Sequence, residues 1–212
     1  NIHPSNYTLG LAEAAEKAGA IIHGHGRATG YSTASGKVTV QTKGGEVTAQ
    51  RALVCTNAYT DDFGGKLGKT VVPVTSVQVA TAPLSNNIAR SILPDGHSPT
   101  DTRRLIFYFR KTADGRFVMG GRGAMGEGST RKRQQALREA AVDLYPQLGD
   151  AEWDYAWGGN VAMTRDSLPG LHLLAPNVLA GLGFNGRGVA NATVMGTILA
   201  DWAMGTPAEK LD

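Results

Sequence analysis

The sequence predicts an α+β fold built on a largely antiparallel or mixed sheet with flanking helices, and three observations carry that prediction. Strand-like stretches come as neighbours joined by tight turns. Helical periodicity is confined to the two ends and one interior stretch. Glycine is abundant, with 28 in 212 residues against a usual share of about 7%, so close turns and backbone approaches are expected throughout.

Taken in order, residues 6–18 predict a helix capped by Ser5 or Asn6, with Tyr7, Leu11, Ala14, Ala15 and Ala18 on one face and Gly19 ending it. Residues 20–33 are strand-like but interrupted by Gly24, Gly26 and Gly30. The alternation Val38, Val40, Thr42, the pair Gly44-Gly45, and then Val47 and Ala49 predict a hairpin. RALVC (51–55) is a short continuous apolar run, as expected of a strand covered on both faces. A long strand is expected within 71–84. Residues 105–111 and 116–121 flank Asp114-Gly115 as a second hairpin, with Phe107 and Phe109 on one face and Tyr108 and Arg110 on the other. A helix over 130–144 is stopped by Pro146, strands are expected at 152–159 and 177–181, and a final helix over about 186–203 is apolar on most sides, which predicts burial.

Lys plus Arg exceed Asp plus Glu by 21 to 18, a net +3 with no concentrated basic face, so nucleic-acid binding is not expected. No stretch approaches the roughly 20 apolar residues of a membrane span. One cysteine, Cys55, excludes an internal disulfide framework and suits the cytoplasm; it is expected to be inert. His3, His23, His25, His97 and His172 lack metal-site spacing, and no nucleophile elbow or P-loop appears.

Gly181, Gly183 and Gly186 spell G-x-G-x-x-G, and Asp201 stands 20 residues after Gly181. A dinucleotide loop needs a second parallel strand to carry its ribose acid. Here Asp201 falls inside the final helix, so the spelling is expected to be accidental. A glycine-rich turn feeding a helix N-terminus, which favours a carbonyl or partly anionic oxygen, survives that rejection.

Three stretches, HPSNYTLGLAEAAEKAGA (3–20), RALVCTNAYT (51–60) and WGGNVAMTRDSLPGL (157–171) with NVLAGLGFNGRGVANATVMGTILADWAMG (177–205), resemble flavin-dependent amine and amino-acid oxidases of the D-amino-acid oxidase and sarcosine oxidase type. The pattern is most similar to the branch that includes gamma-glutamylputrescine oxidase. The resemblance implies the C-terminal portion of such an enzyme: 1–56 as the return segment of the FAD-binding domain with a small sheet, 57–156 as the substrate-binding domain, and 157–212 as the flavin-facing strand-turn-helix with its buried helix. It implies FAD held non-covalently, with Ala28, Thr56, Asn57, Gly183, Phe184, Asn185, Gly186, Arg187, Gly188 and Val189 as cofactor-facing positions. It further implies Tyr108, Arg110 and Trp157 on the substrate side, a small-molecule amine as substrate, and no side chain acting as catalytic base. Where several relatives carry a carboxylate-binding arginine after the W-x-G turn, this chain has Val161, with Asn160 before it and Arg165 beyond, which argues for an amine or for a carboxylate far from the reacting carbon. The chain lacks the family's N-terminal diphosphate loop, so that segment is expected as its partner, and the chain alone is not expected to retain FAD or activity. The alternative is a cofactor-free binding or scaffolding module, or a subunit of a hetero-oligomeric flavin dehydrogenase.

Overall fold

The computed structural model describes residues 2–103, 105–123 and 127–211. The chain opens with α1 (Pro4–Lys17), followed by β1 (Ala28–Ala34), β2 (Lys37–Thr42), β3 (Gly45–Ala49) and β4 (Ala52–Val54). Two 3-10 segments, Asn57–Tyr59 and Asp62–Thr70, lead to β5 (Val72–Thr81), α2 (Asn86–Ser91), β6 (Phe107–Lys111) and β7 (Phe117–Arg122). The remaining elements are α3 (Glu127–Leu144), β8 (Trp153–Met163), β9 (Gly170–Ala175), β10 (Val178–Leu182) and α4 (Gly188–Met204). This mixture of helices with mainly antiparallel sheets is the α+β class that the sequence predicts.

The chain divides into two compact units, Pro4–Pro73 with Val161–Asp212, and Asn1–His3 with Val74–Asn160. Residues 57–73, grouped by sequence with the 57–156 segment, cluster instead with the first unit, and 157–160 with the second.

In the first unit β1, β2 and β3 form an antiparallel meander, and a second sheet runs β4-β10-β9. The β1–β2 turn places Ser35 at φ 50° and Gly36 at φ 72°, a pair of left-handed residues that matches strand twist. β4 lies parallel to β10, with Leu53 opposite Leu179, while β9 is antiparallel to it. All five residues of β10 are buried, as suits the central strand of its sheet. One core gathers Val38, Val54, Leu67, Val71, Val178, Ala180 and Leu182; another packs Leu179 and Phe184 against Met195, Leu199 and Trp202 of α4.

In the second unit the sheet order is β6-β7-β5-β8. Val77, Val79, Phe107, Phe109, Phe117 and Met119 share a core with Leu137 and Ala141 of α3. The alternation read from 105–111 therefore puts the two phenylalanines inward, and the Asp114-Gly115 hairpin closes with Gly115 at φ 83°.

Three expectations need correction. Residues 20–27 form no strand; the extended stretch begins only at Ala28, after a turn at Gly24-His25 with His25 at φ 58°. The RALVC run is not covered on both faces: β4 is an edge strand, Val54 is buried, but Leu53 is 39% exposed and Cys55 is exposed. The final helix is not buried all round, because one face packs on β10 while Val189 and Val194 stand 48% and 61% exposed. An apolar composition announces that a surface needs cover, not that the same segment of chain supplies it. Cys55 nonetheless has its thiol pushed up by desolvation, so little reactive thiolate forms there.

Candidate functional site: a stapled glycine turn and a tyrosine-bearing sheet face

The turn after β10 is fixed by backbone conformation and by three polar side chains. Gly181 lies inside the strand, where a Cβ would come 2.7 Å from Met195 Cγ, so this glycine lets α4 pack closely on the sheet. Gly183 sits at φ 85°, and a Cβ there would lie 2.4 Å from Thr164 Cγ2. Asn185 and Gly186 follow at φ 53° and 85°, and the Arg187 N–H returns to the Phe184 carbonyl at 2.9 Å. Two left-handed residues in sequence favour Asn-Gly, which is the dipeptide present. The glycines therefore serve packing and turn formation, and Asp201 lies on α4 with its surface exposed. The phosphate-loop spelling is accidental, as expected.

Asn185 staples the turn. Its Oδ1 accepts from the Thr164 N–H at 2.8 Å, its Nδ2 donates to the Gly183 carbonyl at 2.5 Å and to Thr164 Oγ1 at 3.0 Å, and its own N–H donates to the Ala162 carbonyl at 3.0 Å. From the other side the Gly183 N–H donates to Asn57 Oδ1 at 3.0 Å. Asn57 itself is left-handed, at φ 45°. Thr56 precedes it with its hydroxyl 2.6 Å from that of Thr60. The structure thus brings together Asn57, Gly183 and Asn185 among the predicted positions. It adds Thr164, which sequence reasoning missed because its partner lies 21 residues away.

α4 begins immediately after this turn. Arg187 is its N-cap but supplies no side-chain cap; its guanidinium instead donates to the Ser167 carbonyl at 2.8 Å. The first-turn N–H groups of a helix have no intrahelical acceptor and carry about half a positive charge. A Cβ on Gly186 would meet nothing nearer than 4.0 Å, so the backbone here is approachable. Phe184 turns its side chain into the core with Trp202, leaving only its backbone to the turn, whereas Val189 is exposed. The neighbouring 164–168 loop is held by Thr164 Oγ1 donating to the Leu168 carbonyl at 2.9 Å and by Asp166 accepting from the Leu168 N–H at 3.1 Å. The latter bond holds the Asp166 carboxyl below the usual carboxylate range.

Ala28 opens β1 opposite Thr42, half-buried and beside a bulge. Its neighbour Arg27 pairs with Asp61, whose carboxyl is lowered first by the Phe63 N–H and then by Arg27.

The substrate-side candidates lie in the second unit. Tyr108 is directly opposite Gly120, whose Cβ would sit 2.2 Å from the ring Cε2. The ring therefore lies flat on the β7 backbone. Its hydroxyl is 2.7 Å from Ser76 Oγ. Burial pushes the phenol up, and the Ser76 hydrogen bond opposes that rise. Arg110 donates to the Ile2 carbonyl at 2.7 Å. Trp157 is 41% exposed, and its carbonyl accepts from Gln134 Nε2 at 3.5 Å. Gly120→Ala is expected to force Tyr108 off the sheet and to cost about 1–3 kcal/mol, as overpacking does. A thermal unfolding midpoint equal to that of the parent protein would contradict this.

The family model for FAD dependent oxidoreductases (DAO) matches residues 1–202. The chain belongs to that family. It is 34% identical over 209 residues to "Probable oxidoreductase OrdL" of Rhizobium meliloti, covering 99% of this chain and 48% of that protein. It is 30% identical over 213 residues to "Gamma-glutamylputrescine oxidoreductase" of Escherichia coli, covering 100% of this chain and 50% of that protein. The fold matches glycine oxidase from Geobacillus kaustophilus with a TM-score of 0.75 at 22% identity, over 95% of this chain and 54% of that one. The chain spans about half the length of the curated relatives it matches. Members of the family are FAD-dependent flavoproteins, and no cluster of three or more metal-ligating side chains occurs among the described residues. No helix among them is long and apolar enough to cross a membrane.

Proposed function

We propose that this chain forms the flavin-head-facing and substrate-facing part of an FAD-dependent oxidoreductase acting on the C–N bond of an amine or amino-acid derivative. The observation that carries the reading is the stapled turn 183–187 ahead of the uncapped N-terminus of α4. FAD supplies a hydride acceptor whose pyrimidine edge gains negative charge on reduction. Fixed N–H donors at a helix N-terminus stabilise such charge without reorganising, so the residues present fit that end of the cofactor. They do not fit its diphosphate, since the G-x-G-x-x-G spelling here is a packed strand and turn.

In this reading Ala28, Thr56, Asn57 and 183–189 face the cofactor, and Tyr108, Arg110 and Trp157 serve the substrate. The described side chains place and shield the amine, and none need act as base. The family's diphosphate-binding segment is the partner of the first unit. Among the described residues β4 pairs along one edge only, and Leu53, Leu9 and Leu11 of α1, and Val189 and Val194 of α4 are exposed, which supports this, because parallel strands are normally covered on both faces. The chain without that segment is inactive, and the single cysteine agrees with a cytoplasmic site of action.

The test is the visible spectrum of the full-length protein, followed by anaerobic addition of polyamines, gamma-glutamyl amines and N-methyl amino acids. Flavin absorbance that bleaches with one of these is expected. A protein that takes up no flavin defeats the reading in favour of a cofactor-free scaffold.

A further inference from the structure

Asn185-Gly186 is the single Asn-Gly pair in the sequence, and asparagine is among the thermolabile side chains. A bond between the side-chain amide carbon of an asparagine and the main-chain nitrogen of the next residue closes a five-membered ring. Glycine in the following position leaves that nitrogen unscreened, having no Cβ. Gly186 is exposed, and a Cβ on it would meet nothing nearer than 4.0 Å. Among the described residues its N–H has no hydrogen-bond partner. The nucleophilic half of the pair is therefore open to solvent.

The electrophilic half is held. Asn185 Oδ1 accepts from the Thr164 N–H at 2.8 Å, while Nδ2 donates to the Gly183 carbonyl at 2.5 Å and to Thr164 Oγ1 at 3.0 Å. Both amide hydrogens and one oxygen lone pair are thus engaged. Thr164 Oγ1 is fixed in turn, donating to the Leu168 carbonyl at 2.9 Å. These bonds run to residues 164 and 183, so Asn185 Cγ is free to meet the Gly186 nitrogen only when the staple lets go. Folded proteins make such local openings, at a frequency set by the interactions that must break.

We propose that Asn185 is a latent deamidation site, kept closed by its staple to Thr164. On opening, the Gly186 nitrogen forms a bond to Asn185 Cγ, the Cγ–Nδ2 bond breaks, and Nδ2 leaves as ammonia with the Gly186 amide proton. Water, the only co-reactant, then opens the cyclic imide at Cγ or at the main-chain carbonyl carbon of residue 185. The first opening gives an aspartate linkage and the second an isoaspartate linkage, with no redox partner involved. Neither product rebuilds the staple. The aspartate carboxylate is acceptor-only, so it sets an oxygen against the Gly183 carbonyl where a donor stood. The isoaspartate lengthens the main chain by one carbon just ahead of α4. A transient opening of the turn is thereby made permanent. The inference uses only residues of the turn and its loop, and stands with or without the cofactor role proposed above.

The full-length protein is incubated at mildly alkaline pH and digested, and residue 185 is read by the mass of its peptide and by isoaspartate-specific methylation. Conversion in the folded parent is expected to be at least about tenfold slower than in the same protein unfolded in urea. Thr164→Val keeps the side-chain shape and removes the hydroxyl, and is expected to speed conversion about fivefold, the factor that one hydrogen bond of ordinary strength sets on an opening. Leu137→Val, which weakens the other core without touching the turn, is expected to leave the rate unchanged. Equal rates in folded and unfolded parent overturn the proposal, as does a folded Thr164→Val protein that converts no faster than the parent. Equal acceleration by Leu137→Val also overturns it, because global unfolding and not the staple would then control the site.

Discussion

Asn185→Ala is expected to cost about 3 kcal/mol of folding stability. Two effects add. The side chain satisfies the half-buried Thr164 N–H at 2.8 Å and ties down the Gly183 carbonyl, and leaving such a donor unpaired costs about 1–3 kcal/mol. The residue also sits at φ 53°, where a Cβ-bearing residue without a polar group to bond locally pays about 1–2 kcal/mol. Asn185→Gly separates the two, because glycine adopts that φ freely while losing the same hydrogen bonds. Urea unfolding should therefore rank wild type above glycine and glycine above alanine, with unchanged slope. A midpoint for alanine indistinguishable from wild type would refute the staple. The functional counterpart, under the proposed role, is loss of bound flavin from the full-length protein, since the N–H donors of α4 would no longer be held in one place.

Much of the fold was legible because its signals are local. The hairpins announce themselves by period-two alternation around Gly44-Gly45 and Asp114-Gly115, and α1 and α3 by helical spacing and terminators. The strand-turn-helix from Val178 onward reads directly from an apolar run, Asn-Gly, and a long apolar helix. What escaped the reading depends on distant chain. Whether RALVC is central or an edge is decided by its neighbours, and among the described residues β4 pairs only with β10, 126 residues on in the register Leu53–Leu179. β9 was missed because the 164–175 stretch shows no clean alternation before the hairpin with β10 forms. Around the turn, Asn57 and Asn185 stood out in the sequence through the family resemblance. Their partner Thr164 and the Ser76–Tyr108 bond did not, being contacts across 21 and 32 residues.

At the opposite end of the same helix, Trp202→Ala is expected to lower stability by about 3–5 kcal/mol, the range for deleting a buried aromatic side chain. Trp202 is 6% exposed and closes the core formed by Leu179, Phe184, Met195 and Leu199. Arg51, just before β4, stacks its guanidinium 5.1 Å from the Trp202 ring centroid and donates to the Trp202 carbonyl. That cation meets the negative end of the helix dipole, so Arg51→Ala should cost about 1–2 kcal/mol by comparison. The two losses should be less than additive, because removing the ring also removes the surface on which Arg51 stacks. Guanidinium unfolding of the single and double variants measures this, and strict additivity would show that the stacking contributes nothing. The consequence reaches the candidate site. From Trp202 to Gly188 the helix spans about 20 Å, and Phe184, at the turn, packs in the same core as Trp202. One hydrophobic cluster thus anchors the far end of α4 and the turn ahead of its N-terminus. Cutting a cavity at Trp202 is expected to loosen the turn while leaving every side chain of the Asn185 staple in place.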